Sequence, residues 1–310
     1  MPKLQLLTMG SDPELFLEDA AGKVISAIGK VGGTKEKPKQ VKSLPRGFTV
    51  QEDNVLLEYN TPVARSNGVW FRNQEVMREY LHEMVGKLGL KLSDKASHSM
   101  TDDQLQHPKA FVFGCEPDYN VWLMKWNNKP QCDDPTLRSA GGHIHVGYSN
   151  PNMADSIRIG RALDYWVGAP LAEVDPDKRR RLLYGKPGAI RFKPYGLEYR
   201  TPSNFWTLAP ERVEAVYFNV LEAVAQASHY DSMKRLFESA ARFLAGDSAE
   251  WDKEYFEARG AAYDAKQAKN VKVKPVKVFS DEATIKWTAN IPIEQQIDEL
   301  LSDGEEEESQ

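Results

Sequence analysis

The stretch Ala140-Gly141-Gly142-His143-Ile144-His145-Val146-Gly147 decides how this chain is read. It places two of only six histidines, in 310 residues, two apart within a short β-branched run bounded by glycines. Alternate side chains of a strand project from one face, about 6 to 7 Å apart. His143 and His145 therefore share a face, while Ile144 and Val146 turn to the other, where a core belongs. Gly196-Leu197-Glu198-Tyr199-Arg200-Thr201-Pro202 repeats the design, with Glu198 and Arg200 on one face and Leu197 and Tyr199 on the other. Two strands with paired functional side chains on one face point to a site.

Working outward, the N-terminal half supplies carboxylates. Leu4 to Leu7 reads as a strand running into Gly10-Ser11-Asp12-Pro13-Glu14-Leu15-Phe16-Leu17. Pro13 removes a ladder donor and marks an edge, a bulge or a strand start. Asp12 and Glu14, two apart, are expected on one face. Residues 29–47 hold five lysines among glycines and prolines, the composition of a solvated loop or a flap over an anion. Val50 to Pro62 reads as one strand, in which Glu52 and Glu58 are six apart and share a face. A glutamate between Leu57 and Tyr59 is costly to bury unless something pairs it. Gly68 to Leu90 reads as an amphipathic helix, with a stripe through Val69, Arg72, Val76, Tyr80, Met84 and Leu88. Ala110 to Trp122 reads as a further strand and turn, from which Glu116 and Asp118 are within reach of a site.

Beyond the histidine strand, Asn150 to Leu183 reads as helix interrupted at Pro170 and Asp175-Pro176. It closes on Arg179, Arg180 and Arg181, with Arg191 and Arg200 close behind, a density of guanidinium groups that suits an anion. Ala209 to Tyr230, Ser232 to Ala245 and Ala249 to Ala265 give three more helical patterns. The last residues are a lysine-rich block and then an acidic one, which stay solvated.

Composition sets the outer limits. Hydrophobic residues are 41% and charged residues 27%, and no run approaches the roughly 18 to 20 apolar residues of a membrane span. The start of the chain lacks a secretory pattern, so a cytoplasmic protein is expected. Cys115 and Cys132 are too few for a disulfide framework and are read as reduced thiols. A net charge of −5 gives no footprint for a long nucleic acid.

The strand-borne residues are thus Asp12, Glu14, Glu52, Glu58, His143, His145, Glu198 and Arg200. Clustered carboxylates repel, by about 4 kcal/mol for two unit charges 4 Å apart at an effective dielectric near 20. A divalent cation relieves this, and oxygen-rich ligation with one or two imidazoles suits Mg²⁺ or Mn²⁺ better than Zn²⁺. Metals and arginines on one face are what phosphoryl transfer needs. Neither a Gly-x-x-x-x-Gly-Lys-[Ser/Thr] loop nor a Gly-x-Gly-x-x-Gly motif occurs, so a nucleotide would be held by the sheet itself.

In order along the chain, these motifs resemble those of the glutamine synthetase and glutamate-cysteine ligase superfamily, in particular its phage-encoded, amidoligase-like carboxylate-amine ligases. They are Gly10-Ser11-Asp12-Pro13-Glu14-Leu15-Phe16, Glu52 with Glu58, Gly141 to Val146, Arg191, and Leu197 to Pro202. The likeness spans roughly residues 5 to 210. It implies an α+β fold, with a curved antiparallel sheet of glutamine synthetase catalytic-domain type and helices packed behind it. It also implies one metal on Glu14, Glu52 and Glu58, and a second on Asp12, His143 and Glu198. By the same likeness His145, Arg191 and Arg200 serve the nucleotide, and Arg191 and Arg200 the transferred phosphoryl group. The implied activity is ATP-dependent ligation of a carboxylate to an amine through an acyl phosphate, with Mg²⁺ or Mn²⁺. Asp12 stands where glutamine synthetase has a glutamate. Residues 1–230 are expected to form the catalytic domain, 231–265 a helical extension and 266–310 a charged tail. The rival readings are a metal hydrolase using the His-x-His strand and a non-catalytic binding or virion-associated protein of the same fold.

Overall fold

The computed structural model describes residue 4 and residues 6–111 and 117–269. Its strands of interest are β1 (Leu6–Ser11), β2 (Glu14–Leu15), β3 (Lys39–Gln40), β4 (Thr49–Asp53) and β5 (Leu56–Asn60), then β6 (Tyr119–Asn120), β7 (Lys125–Trp126), β8 (Ile144–Tyr148), β9 (Ala189–Lys193) and β10 (Gly196–Tyr199). A six-stranded sheet has the order β1-β8-β10-β9-β6-β7, and a four-stranded sheet the order β2-β5-β4-β3. Every pairing within them is antiparallel. With the helices, this makes a mixed α and antiparallel β structure. None of the described helices is long and apolar enough to cross a membrane.

The opening segment is not one strand. Pro13 cannot donate to a ladder, and the chain leaves the first sheet at Asp12-Pro13 to enter the second, with Glu14 opposite Glu58. This corner lets neighbouring acids serve different sheets. In the six-stranded sheet the alternation read from sequence is present: Ile144 lies opposite Tyr199 and Val146 opposite Leu197, and all four side chains are fully buried. They pack with Ile159, Leu163, Val220 and Phe237 of the helices behind, and burial of each large apolar group contributes about 1.5 to 3 kcal/mol. The opposite face is thereby left to His145, Glu198 and Arg191.

Three further sequence expectations change in the N-terminal half. Val50 to Pro62 is a hairpin, because Asn54 adopts a left-handed φ of 54° and turns the chain between β4 and β5. Asparagine tolerates that conformation better than most residues. Helix α1 (Asn67–Gly86) buries Trp70, Gln74, Met77, Leu81 and Val85, whereas Val69 and Leu88 are exposed. A stripe drawn almost wholly in steps of four drifts off a helix of 3.6 residues per turn, and the buried one includes a step of three, from Gln74 to Met77. Residues 29–47 are no free flap: β3 pairs with β4, and Val31 and Val41 are buried in a core with Leu57 and Met77.

Helix α2 (Met153–Leu163) runs through a π-helical turn, Asp164–Gly168, into α3 (Ala169–Val174), so Pro170 does not break it. The π turn absorbs a residue just before Pro170, whose missing N–H then falls in the first turn of α3. The break comes at Asp175-Pro176, before α4 (Arg180–Leu183). Helices α5 (Pro210–Ala227), α6 (Tyr230–Ala245) and α7 (Glu254–Lys269) follow. Met233, Phe237 and Leu244 of α6 belong to the same core as the six-stranded sheet. Residues 270–310, including most of the charged tail, lie outside the described residues, as do Cys115 and Glu116.

Candidate functional site

Backbone geometry first fixes where the acids stand. Glu14 and Gly141 exchange two bonds: the Glu14 N–H donates to the Gly141 carbonyl at 2.8 Å, and the Gly141 N–H donates to Glu14 Oε2 at 2.7 Å. The corner of the second sheet is thus tied to the entry of β8. Gly142 is required there, since a Cβ would stand 2.2 Å from the Ser203 carbonyl and 2.5 Å from Trp206 Nε1. A Cβ on Gly141 would stand 2.4 Å from His143 Nε2. The glycine pair of the opening motif makes room for the imidazole and for the neighbouring chain.

Two clusters of ligating atoms result. Asp12, His145 and Glu198 bring one atom each within 4.8 Å of one another, and so do Glu14, Asp53 and Glu58. His143 stands between them. Its Nδ1 is 3.4 Å from Asp12 Oδ1 and 3.7 Å from Glu198 Oε1, and its ring lines the cleft that also holds Glu14 and Asp53. Of the eight strand-borne candidates, only Glu52 falls outside. In the hairpin register Gln51 faces Glu58, and Glu52 faces Leu57, so Glu52 lies on the opposite face and accepts the Gly32 N–H at 2.8 Å. Asp53 takes the place expected for Glu52. The Asp-Asn turn was the signal in the sequence, because a hairpin there reverses the parity of everything after it.

Glu198 is the most heavily countered acid. Arg191 and His145 both lie opposite it in register. Arg200 Nη1 bonds its Oε1, Lys193 Nζ is 2.7 Å from its Oε2, and Arg191 Nη1 lies at 3.5 Å. Burial opposes ionisation here, yet Arg200 and the imidazoles outweigh it and hold the carboxyl at about 2. Arg200 bridges two carboxylates, since its Nε is also 2.6 Å from Asp118 Oδ1. Behind it, buried Arg180 donates from Nη1 to the Thr201 carbonyl at 2.7 Å and from Nη2 to the Arg200 carbonyl at 3.3 Å, fixing the chain that carries the guanidinium. Lys193 thus joins the residues read from sequence, and Asp118 and Arg180, both named there, are placed beside Arg200. Lys193 was visible by parity, being two residues from Arg191, whereas the part of Arg180 needs the fold.

The two acid groups differ in charge balance. Burial pushes Asp12 up, but the positive charge and hydrogen bonds available from His145 and His143 hold it well below the usual carboxylate range. His145 is correspondingly raised: burial acts against its cation, and Asp12 Oδ2, 3.2 Å from Nε2, outweighs burial. Its Nδ1 meets the Tyr195 hydroxyl, which orients the ring. In the second group compensation is weaker. Burial, then Asp12, Glu14 and Asp53, push Glu58 well above its ordinary value, although Gln51 Nε2 donates to it at 2.8 Å. Burial, with Asp53, likewise raises Glu14 by more than His143, the Gly141 N–H and Arg200 lower it. Among the described residues none of these three acids has an ion pair with a cationic side chain.

No curated protein matches the chain. Among solved structures it is similar to one titled "GmaS/ADP complex-Conformation 1", at 12% identity over 87% of this chain and 73% of that chain, with a TM-score of 0.36. Residues 137–266 match the family described as "Phage phiEco32-like COOH.NH2 ligase-type 2". This segment, which contains β8, β9 and β10 and with them His143, His145, Arg191, Glu198 and Arg200, is thus similar to a family of carboxylate-amine ligases.

Proposed function

We propose that the protein joins a carboxylate to an amine at the expense of ATP, through an acyl phosphate. The observation that carries this reading is two acid groups flanking His143, on a face that also gathers Arg191, Lys193 and Arg200. Phosphoryl transfer is mostly positioning and charge neutralisation, and such a face supplies both. The catalytic unit is taken as residues 1–230 with the site on a concave sheet face, and α6 and α7 as helices packed against it.

The donor sets fit divalent cations. Asp12 Oδ1 is buried with His143 Nδ1 3.4 Å away, and three carboxylates converge at Glu14, Asp53 and Glu58 with no ion pair to a cationic side chain among the described residues. Oxygen-rich sets with at most one imidazole suit Mg²⁺ or Mn²⁺. We assign one ion to Asp12, His145 and Glu198, with His143 as a further donor within reach, and one to Glu14, Asp53 and Glu58. Bound there, such ions supply charge neutralisation for phosphate oxygens.

In the reaction, a carboxylate oxygen bonds to the γ-phosphorus of ATP and the bond to ADP breaks. The amine nitrogen then bonds to the acyl carbon, inorganic phosphate leaves, and the amine loses a proton. Arg200 and Arg191 face the charge that develops on the transferred group. Arg180 and Asp118 hold Arg200 in place, and Tyr195 keeps the His145 ring turned toward Asp12. The test is incubation with ATP, Mg²⁺ and pooled carboxylates and amines, following ADP and new masses. ADP formation that needs both organic substrates, matched by an amide product, is expected. Product that forms with Zn²⁺ and without ATP would overturn the reading in favour of a hydrolase.

A further inference from the structure

Two cavities adjoin at the site, since Asp118, Leu183 and Tyr184 line both. The first holds Arg138, Arg180, Arg200 and His143 beside Glu14, Asp53 and Asp118. Asp118 is ion-paired with Arg200 at 2.6 Å, and Glu14 and Asp53 are the acids assigned above to a divalent cation. Arg180 is then the cation without an answer. It is 3% exposed, has no ion pair among the described residues, and gives one donor each to the Thr201 and Arg200 carbonyls, while its Nε is buried without a hydrogen bond. The second cavity, of about 270 Å³, lies between residues 127–131 and residues 182–186, and it is cationic too. Lys129 makes no hydrogen bond or ion pair among the described residues. Lys186 gives one of its three donors to the Arg181 carbonyl, at 2.7 Å, and keeps the others. The one carboxylate of this cavity is the same Asp118, already paired.

With the cation in place both cavities attract anions, and they do so side by side. A buried guanidinium without a carboxylate is costly until an anion reaches it, and a single anionic group answers only one of the two cavities. Size narrows the choice further. A cavity of roughly 150 Å³ already holds benzene, so the second cavity has room for more than one small side chain. The ligand that matches is an extended molecule with carboxylates at successive positions. Resting on the ligase reading above, we propose that the carboxylate substrate is an acidic peptide. The carboxyl group to be activated lies in the first cavity with Arg180, and the carboxylate of a neighbouring residue is held by Lys129 and Lys186 in the second. Asn128 and Gln131 meet the peptide's amides, and Leu182 and Leu183 its methylene groups. A free amino acid is too short to fill both cavities. The chain itself carries this chemistry in Glu305-Glu306-Glu307-Glu308, so the peptide has two sources, a separate molecule or this run.

The test is equilibrium binding in Mg²⁺ and ADP, read by ligand-observed NMR and calorimetry, with triglutamate, triglutamine and free glutamate as probes. Each is measured on the full chain and on a full-length variant in which Glu305, Glu306, Glu307 and Glu308 are all replaced by glutamine. Triglutamate is expected to bind, with glutamate and triglutamine about tenfold weaker or more. Adding Lys129→Glu and Lys186→Glu should weaken triglutamate about tenfold or more, because two weak exposed attractions become repulsions. ADP affinity should not move. Tighter triglutamate binding to the glutamine variant than to the native chain assigns the resident peptide to the chain's own acidic run, and equal binding assigns it to a separate molecule. The proposal is overturned if triglutamate binds neither chain at millimolar concentration, or if glutamate or triglutamine binds equally well. Unchanged triglutamate binding after the lysine substitutions, or weakened ADP binding, likewise sinks it. Triglutamate binding without ADP formation on addition of any amine would remove the ligase reading and leave an acidic-peptide site. Amide formation from simple monocarboxylates, with no preference for triglutamate, would do the reverse.

Discussion

Replacing Glu58 by glutamine should stabilise the ion-free protein while abolishing its response to Mg²⁺. Glu58 is buried, and its ligating oxygen lies within 4.8 Å of those of Glu14 and Asp53. At an effective dielectric near 20, each such pair of charges repels by about 3 kcal/mol. Part of that is already relieved because Glu58 holds its proton to higher pH than an ordinary carboxyl. The observable gain is therefore smaller, about 1 to 3 kcal/mol, or roughly 2 to 4 °C of Tm per kcal/mol in a chain of this size. Glutamine is isosteric and still accepts the bond from Gln51 Nε2, so no new unsatisfied group is created. The sign with pH follows from the raised value in the folded state. Below the unfolded-state value both states are protonated and the wild type bears no cost. As pH rises through the folded value the wild type loses stability that the variant keeps, so the gain grows toward alkaline pH and vanishes in acid. With Mg²⁺ at a hundredfold excess over its Kd, the wild type should gain about 2.7 kcal/mol and the variant much less. Thermal unfolding in EDTA and in Mg²⁺, across pH, measures both. A variant several kcal/mol less stable in EDTA, or one as responsive to Mg²⁺ as the wild type, would refute the reasoning.

Glu198→Gln should behave oppositely and cost about 3 kcal/mol or more, because it leaves Arg200, Lys193 and Arg191 without their shared partner. That stabilisation is complete above the unfolded carboxylate value and is lost as pH falls toward about 2, so urea titrations should show the deficit shrinking in acid. Arg200→Lys can reach Asp118 or Glu198 but not both, and should lower kcat roughly 100-fold or more with little change in KM; ADP formation near the wild-type rate would limit Arg200 to a structural ion pair. Asp164, buried behind β10 and raised by burial to about 7, accepts from Trp122 Nε1 at 2.6 Å and from the Tyr199 hydroxyl at 2.7 Å. Because its ionised form is the costly one, wild-type stability should fall as pH rises through that value, and Asp164→Asn should flatten the slope in calorimetric scans.

How much of this was legible depends on whether parity within one strand settled the question. For β8 and β10 it did: no turn or bulge interrupts His143 to Tyr148 or Gly196 to Arg200, so the buried and functional faces follow from alternation. For β4 and β5 a single left-handed residue, Asn54, reverses the count and exchanges Glu52 for Asp53. For Asp118 and Arg180 the local sequence marks candidates but does not give their partner. Each acts on Arg200 from 82 and 20 residues away, respectively, and only the assembled sheet and α4 bring them there. An arginine triplet looks like a solvated helix end, and in α4 Arg181 is partly exposed while Arg180 is buried. The difference is one of helical rotation, which a four-residue helix does not encode in its own pattern.

The corner at Asp12-Pro13 explains why two acid groups of different character can stand so close. Had the strand continued straight, Asp12 and Glu14 would share a face of one sheet and meet the same counter-charges. Pro13 ends the ladder, so Asp12 stays with the six-stranded sheet, beside His143 and His145, and Glu14 pairs with β5 opposite Glu58. The first group thereby inherits the imidazoles of β8 and the cations of β9 and β10, and is balanced by the protein itself. The second gains further carboxylates from the β4–β5 hairpin, feels His143 and Arg200 only in part, and is left with the raised Glu14 and Glu58. An incoming cation therefore gains more electrostatic free energy at Glu14, Asp53 and Glu58, where it relieves repulsion, than at Asp12 and Glu198, where it competes with His145, Lys193 and Arg200. Titration with Mn²⁺, followed by calorimetry, should accordingly resolve a tighter event that Glu58→Gln removes and a weaker one that it leaves in place. Loss of both events in that variant would mean that the two groups bind ions only as a unit, and the division at Pro13 would carry no functional weight.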